Sequence, residues 1–310
     1  MEKFSIAIHG GAGTLVKGMM TPEKEKAYKK ALEEALNSGY VILENGGKAI
    51  DAIEAAVVSL ENCHLFNAGK GSVFTSAGTH EMDASIMDGQ TKKAGAVSLI
   101  TGIKNPVRLA RDVMEKSEHV FMAGDGAMEF AKMNGYEIIS SEYFYDEFRH
   151  NQWLEIKDSE SFQLDHTEKK DSKFGTVGAV ACDKFGNIAA ATSTGGMTNK
   201  KYGRVGDSPM IGAGNYANNA TCAVSCTGSG EYFIRGVVAY DVACLIEHKN
   251  FSLRDATEEV IQKRVHELGG DGGLIAVNSQ GEVSLSFNTE GMYRGYKCSD
   301  GKERIMIYND

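Results

Sequence analysis

Proline is scarce in this 310-residue chain, at 3 residues, and there is a single Trp. No apolar run approaches the roughly 18–20 residues that a membrane-crossing helix needs. Positive charge is in the minority: 33 Lys and Arg stand against 42 Asp and Glu, a formal charge of −9. Nucleic acid and anionic membrane both require a basic face, so this balance argues against either as the main partner. The six cysteines (Cys63, Cys182, Cys222, Cys226, Cys244 and Cys298) form no C-x-x-C pair. Reduced buried thiols, a cytoplasmic location and no zinc are expected. The first residues alternate without a basic and then apolar leader, so no signal peptide is expected, and no internal repeat is visible.

What the chain has in excess is glycine. Its 36 Gly place many backbone positions in tight turns or against another segment. With 42% apolar residues, the composition is that of a globular protein able to bury a sizeable core, in one large domain or two small ones.

Periodicity predicts a strand over 4–9 that runs into His9-Gly10-Gly11-Ala12-Gly13, then a helix from Pro22 to the Gly46-Gly47 stop. A second helix is expected over 48–60, strands near 81–87 and 94–100, and a helix capped by Asn105 and Pro106. A shorter helix should begin after Asp125. The charged stretch over 140–173 has few periodic apolar residues and reads as an exposed, mobile connector. It gives way abruptly to Phe174-Gly175-Thr176-Val177-Gly178-Ala179-Val180-Ala181, a buried strand. Paired strands follow over 176–182 and 187–194, joined by a turn at 183–186, then a strand over 221–227. One helix is expected over 230–248 and another over 252–268, opened by Ser252-x-x-Asp255. Strands near 273–277, 283–287, 292–296 and 304–308 close the chain, which implies stacked sheet and helix layers.

Several residues could carry chemistry. A Thr hydroxyl needs an adjacent base to act as a nucleophile. Thr176 would gain one if the Gly175–Thr176 bond were cut, since its own freed α-amine has a pKa near ~8. The bland alternative is a β-branched residue at a strand start. Thr192-Ser193-Thr194-Gly195-Gly196 offers hydroxyls that orient a nucleophile or cap a turn. Within Gly203-Arg204-Val205-Gly206-Asp207-Ser208-Pro209, Arg204 suits a carboxylate and Asp207 an ammonium, unless the two form a surface salt bridge. Cys226-Thr227-Gly228-Ser229-Gly230-Glu231 exposes backbone N–H groups suited to an anion or oxyanion, or less well to a phosphate. His9 is either a general base or a hydrogen-bonded core residue.

Taken in order, these segments resemble the plant-type (type III) L-asparaginases, or isoaspartyl peptidases, of the N-terminal-nucleophile hydrolases. The likeness spans HGGAG at 9–13, NAGKGSVF at 67–74, MDASIMDG at 82–89, GTVGAVA at 175–181, TSTGG at 192–196, GRVGDSP at 203–209 and TGSGE at 227–231. It implies an α+β fold, a four-layer αββα sandwich in one domain over 1–310. It also implies self-cleavage into an α chain of 1–175, ending in the connector, and a β chain of 176–310, assembled as (αβ)₂. The resemblance makes Thr176 the nucleophile, with Thr194 in support. Arg204 would hold the substrate α-carboxylate and Asp207 its α-ammonium, with help from the Gly230 carbonyl. The Thr227 hydroxyl and Gly228 N–H would form the oxyanion hole. Main-chain carbonyls of Leu60, Glu61, Cys63, Phe66, Ala68 and Lys70 resemble a structural sodium-binding turn. No catalytic metal or cofactor is implied. The expected substrates are L-asparagine and β-aspartyl dipeptides. Glycosylasparaginases, the other close reading, resemble TSTNG instead of TSTGG and are typically secreted with disulfides. Threonine aspartases lack the Asp that Asp207 supplies. A non-cleaving amino-acid-binding protein on the same layers is the alternative of another class.

Overall fold

The computed structural model describes residues 3–158 and 175–309. In chain order the elements are β1 (Ser5–Gly13), α1 (Pro22–Glu44), α2 (Ala49–Glu61), β2 (Met82–Asp88), β3 (Ala94–Ile100), α3 (Pro106–Lys116), β4 (Phe121–Ala123), α4 (Gly124–Met133) and α5 (Glu147–Ile156). Then come β5 (Val177–Cys182), β6 (Ile188–Thr194), β7 (Asn215–Ala217), β8 (Ala223–Gly228), α6 (Gly230–Gly236), α7 (Val238–Lys249), α8 (Leu253–Glu258), β9 (Gly272–Val277), β10 (Val283–Phe287), β11 (Gly291–Cys298) and β12 (Glu303–Tyr308).

Among the described residues these strands build two sheets, ordered β12-β11-β1-β5-β6-β2-β3-β4 and β10-β9-β8-β7. The fold is mixed α+β. Side-chain alternation along each strand explains the stacking. Ile6 and Ile8 of β1, with Ala179, Ala181, Ala189 and Ala191, join Leu32, Leu36, Ile53, Val57 and Val107 of the first three helices in one apolar cluster. The residues between them, Ala7, Val180 and Ala190, face Ala223, Ile275 and Val277 of the smaller sheet in a second cluster. The other face of that sheet, through Val224, Cys226, Leu274 and Ala276, packs on Phe233, Val242, Val260 and Ile261. Small residues on β5 and β6 let the two sheets approach at the row that begins with Thr176.

Local signals explain most boundaries. The Thr21 hydroxyl accepts the Lys24 N–H with Pro22 at the first turn, and the Ser252 hydroxyl accepts the Asp255 N–H at 3.1 Å. Five expectations are corrected. The glycines at 10–13 do not end β1; the strand continues through them with a register irregularity between His9 and Gly11. Asn105 makes no side-chain cap; Glu61 Oε1 accepts the Val107 N–H at 3.0 Å instead, so a buried carboxyl from α2 caps α3. The helix expected over 230–248 is broken at Val237, which sits in the left-handed region at φ 49°. The helix from 253 passes into a π-helical turn over Glu259–Val265. The connector is folded in its first half: Phe144 and Arg149 are buried, the Trp153 ring stacks on Phe74 at 5.8 Å, and the Asn199 amide donates to the Ile156 carbonyl at 3.1 Å. Aromatic burial on the 67–80 loop outweighs the charge of that segment. The rest of it, 159–174, lies outside the described residues. No described helix is long and apolar enough to cross a membrane.

Candidate active site

The ladder between β5 and β6 pairs Gly178 with Thr192 and Val177 with Ser193. Thr176 directly precedes Val177 and Thr194 directly follows Ser193, and Thr194 itself pairs with Asp83 on β2. Thr176 is buried, with its Oγ 3.3 Å from the Ser208 Oγ. The Thr194 Oγ accepts the Gly196 N–H at 3.0 Å, which closes the turn at the strand end. Asn67 clamps the same turn from the loop after α2. Its amide donates to the Gly196 carbonyl at 2.7 Å, and its own carbonyl accepts the Gly195 N–H at 3.0 Å.

The Gly175–Thr176 bond is wedged. A Cβ on Gly11, which has φ 111°, would stand 2.5 Å from the Gly175 nitrogen. A Cβ on Gly175 would stand 2.9 Å from the Thr227 Oγ. Two glycines are therefore required by space, and they bring a fully buried hydroxyl to the peptide bond. That Thr227 Oγ also accepts the Ala12 N–H at 3.3 Å. Gly228 ends β8 at φ 151°, where a Cβ would collide with the Asp271 carbonyl.

Arg204, Asp207 and Gly230 meet. A Cβ on Gly230 would lie 2.9 Å from Asp207 Oδ1 and 3.0 Å from Arg204 Nη2. The salt bridge that Arg204 makes is with neither expected partner: Glu231 takes its Nε and Nη2 at 2.9 Å each. Asp207 is buried, its Oδ2 has no hydrogen-bond partner among the described residues, and burial pushes its carboxyl up to about 7 against the pull of Arg204. An uncompensated buried carboxyl beside a guanidinium invites a cation on one side and an anion on the other.

Ser208, Asn67 and Glu231 were within the motifs above without being singled out, and only tertiary contact reveals their parts. Glu61 was expected for its carbonyl alone. Its side chain is fully buried and accepts the Ser193 hydroxyl at 2.7 Å, and burial pushes it up to about 8. His9 is a core residue, 2.9 Å from the Ser225 Oγ, and desolvation lowers it to about 3, which removes it as a base near neutral pH. The turn after α2 directs the Glu61 carbonyl at Gly69, and the Phe66 and His64 carbonyls at Gly71, so closely that a Cβ on either glycine would collide with them. This cradle fits a hard cation that takes oxygen ligands. Within the expected set, the Leu60 carbonyl accepts the Cys63 N–H at 3.1 Å and the Ala68 carbonyl the Gly71 N–H at 3.2 Å. Each of these keeps a second lone pair. A separate cleft of about 1030 Å³, lined by residues of β10, β11 and β12, contains none of these residues.

The pattern of the asparaginase family matches residues 2–307. An isoaspartyl peptidase of Salmonella typhimurium is 51% identical over 313 residues, covering 100% of both chains. An isoaspartyl peptidase of Escherichia coli is 50% identical, covering 100% of this chain and 98% of its own. A probable isoaspartyl peptidase/L-asparaginase 2 of Arabidopsis thaliana is 42% identical, covering 99% of this chain and 100% of its own. The chain belongs to the asparaginase family.

Proposed function

We propose that this chain is a self-cleaving amidohydrolase that releases L-aspartate from β-aspartyl peptides and L-asparagine, with Thr176 as its N-terminal nucleophile. Its layers are those of the four-layer αββα sandwich of N-terminal-nucleophile hydrolases. The observation that carries the reading is the wedged Gly175–Thr176 bond, held between Gly11 and the Thr227 hydroxyl.

In the uncut chain the Thr176 Oγ attacks the Gly175 carbonyl carbon. The C–N bond breaks, the nitrogen takes up the proton, and an ester joins the two parts. Water then hydrolyses the ester to a Gly175 carboxylate and a free Thr176 hydroxyl. The products are an α chain of 1–175 and a β chain of 176–310, which pair as (αβ)₂. The freed α-amine, with a pKa near ~8, now accepts the Oγ proton. Attack of Oγ on the β-amide carbonyl carbon breaks its C–N bond: ammonia, or the amine of the following residue, leaves with the proton that the α-amine had taken, and a β-aspartyl ester remains, which water hydrolyses to aspartate and the free Thr176 hydroxyl. Arg204 receives the substrate α-carboxylate, and Asp207 with the Gly230 carbonyl receives the α-ammonium. Thr227 Oγ and Gly228 N–H face the developing oxyanion, and Thr194 orients the nucleophile. Only the aspartyl end is read, which admits both substrate types.

Sodium in the turn after α2 would be structural, held by carbonyls including those of Glu61 and Phe66. Replacing sodium by choline at equal ionic strength should lower the melting temperature. An unchanged melt would remove the ion from the account.

The defining experiment is a denaturing gel with mass spectrometry of both parts. Two unequal bands are expected, the smaller beginning at Thr176, and Thr176→Ala should stay whole and inactive. One intact band that binds aspartate would instead support a binding protein.

A further inference from the structure

A buried acid and a buried base lie next to Thr194 and have no part in the reaction proposed above. Asp83 of β2 is the ladder partner of Thr194 on β6, and it is fully buried. Strand alternation places Asp83 and Ser85 on one face of β2. That face is turned to the site: the Ser85 hydroxyl donates to the Ser208 carbonyl at 2.6 Å, and the Ser208 hydroxyl is the one beside Thr176. The β2–β3 ladder shifts register between Met82 and Ala84, an irregularity of the kind that re-aims a side chain. Across from it Leu99 takes φ 55°, and its N–H donates to Asp83 Oδ1 at 3.0 Å. Asp83 Oδ2 has no hydrogen-bond partner among the described residues.

Lys200 supplies the opposite charge. Its side chain is only 1% exposed, and its Nζ donates to the Glu81 carbonyl, at the start of β2, at 2.8 Å. The Glu81 carboxylate stands at 3.9 Å, beyond hydrogen-bond range. The same side chain crosses the turn that Thr194 closes: a Cβ on Gly196 would stand 3.0 Å from Lys200 Cδ and 3.1 Å from Nζ. The Lys200 main chain is fixed as well, since its carbonyl accepts the Ser76 N–H at 3.0 Å. Burial pushes the Asp83 carboxyl up and the Lys200 ammonium down, and each is the strongest influence opposing that shift in the other. A buried charge is tolerated when its opposite lies near, and removing one member strands the other.

We propose that Lys200 is a positioning residue for Thr194: its ammonium pins the Glu81 carbonyl at the start of β2 to the turn after β6, with Asp83 as its buried counter-charge. The Thr194 hydroxyl, at the end of β6, is thereby held where it orients the nucleophile. Lys200 and Asp83 touch no reacting atom in this role. The stitch also joins residues on either side of the proposed cut, Glu81 and Asp83 before residue 176, Thr194 and Lys200 beyond it. The inference rests on the reading of Thr176 as nucleophile with Thr194 in support.

The test uses Lys200→Met, which keeps most of the length and removes the charge, with kcat taken per cut chain. It is expected to lose about 10- to 100-fold in kcat, the scale of a displaced orienting group, with KM within about threefold. KM should hold because Glu231 fixes the Arg204 fork separately. A parental kcat, or a KM that rises as far as kcat falls, would overturn the proposal. Melting curves test the counter-charge. Lys200→Met should melt roughly 6–20 °C below the parent, since it strands a buried carboxylate. Adding Asp83→Asn should restore most of that shift while kcat stays low. Recovery of kcat along with stability would show a purely structural pair, and a double variant no more stable than the single would break the pairing; either result sinks the idea. If Lys200→Met does not fold, the double variant decides by the same kinetics, and failure of both to fold counts against the proposal. Parent protein run in parallel keeps the two readings apart. Failure of the parent to cut and hydrolyse defeats the nucleophile itself, whereas an active parent with contrary variants defeats only the role of Lys200.

Discussion

Glu231 occupies the outer fork of Arg204, with Nε–Oε1 and Nη2–Oε2 both at 2.9 Å. In the proposed role of Arg204, a substrate carboxylate would have to share or displace a carboxylate already in place. This holds the guanidinium in position at the cost of competing with the ligand. Removing the arginine should be severe. Arg204→Ala is expected to lower kcat/KM for L-asparagine and for a β-aspartyl dipeptide alike, by about 2–5 kcal/mol or roughly 30- to 4,000-fold. Steady-state kinetics on both substrates tests this, and an unchanged value for either would refute the assignment.

Asp207 should impose a pH limit. Its carboxyl is pushed up to about 7 by burial, and an ammonium is held well only by the ionised form. In the free enzyme kcat/KM should fall as pH drops through about 7, approaching tenfold per pH unit, and Asp207→Asn should be poor at every pH. A profile measured from pH 5 to 9 that stays flat below 7 would contradict this.

The same group has a stability signature of opposite sign. A carboxyl raised in the folded state binds its proton more tightly there than in the unfolded chain. Its contribution therefore declines as pH rises from the ordinary value of 3.8 to about 7. The full span is on the order of 4 kcal/mol. Thermal melts of parent and Asp207→Asn should diverge across that window, with the parent losing ground as pH rises. Parallel curves would place the carboxyl in water.

Gly11→Ala should block scission. The added carbon, at φ 111° and 2.5 Å from the Gly175 nitrogen, would push the bond away from the Thr227 hydroxyl. Folded Gly11→Ala protein should run as one band after long incubation, and full processing would show that the wedge is dispensable.

Much of this site was legible from one sequence because its parts sit in short motifs whose order is unusual. Thr176, Thr194, Arg204, Asp207, Thr227 and Gly228 could each be named before any coordinates. What could not be read were contacts between motifs. Glu231 opposite Arg204, Ser208 beside Thr176, and Glu61 beneath Ser193 follow from packing, not from spacing. The helix periodicity over 230–248 was sound, yet it carried no sign that Val237 turns left-handed, since no Gly or Pro marks the break.

Val237 gives a prediction free of catalysis. A β-branched residue at φ 49° costs on the order of 1–2 kcal/mol relative to an unstrained backbone. Val237→Gly should raise the unfolding free energy by about 1 kcal/mol in a urea titration, with hydrolysis unchanged. A loss of stability would mean that the half-exposed side chain contributes more by packing than its backbone gives away.

In the larger sheet β12 and β11 come from beyond residue 176, β1 from before it, β5 and β6 from beyond it again, and β2, β3 and β4 from before it. The two prospective chains are thus shuffled like cards within one hydrogen-bonded ladder. The smaller sheet belongs wholly to the second piece, but the larger one belongs to neither, so the first piece has no complete sheet of its own. Breaking the backbone at that junction would change the wiring of the molecule and leave its architecture alone. In the proposed self-cleavage, the assembled sheets would therefore exist first, and the cut would be a late event that a finished fold performs on itself.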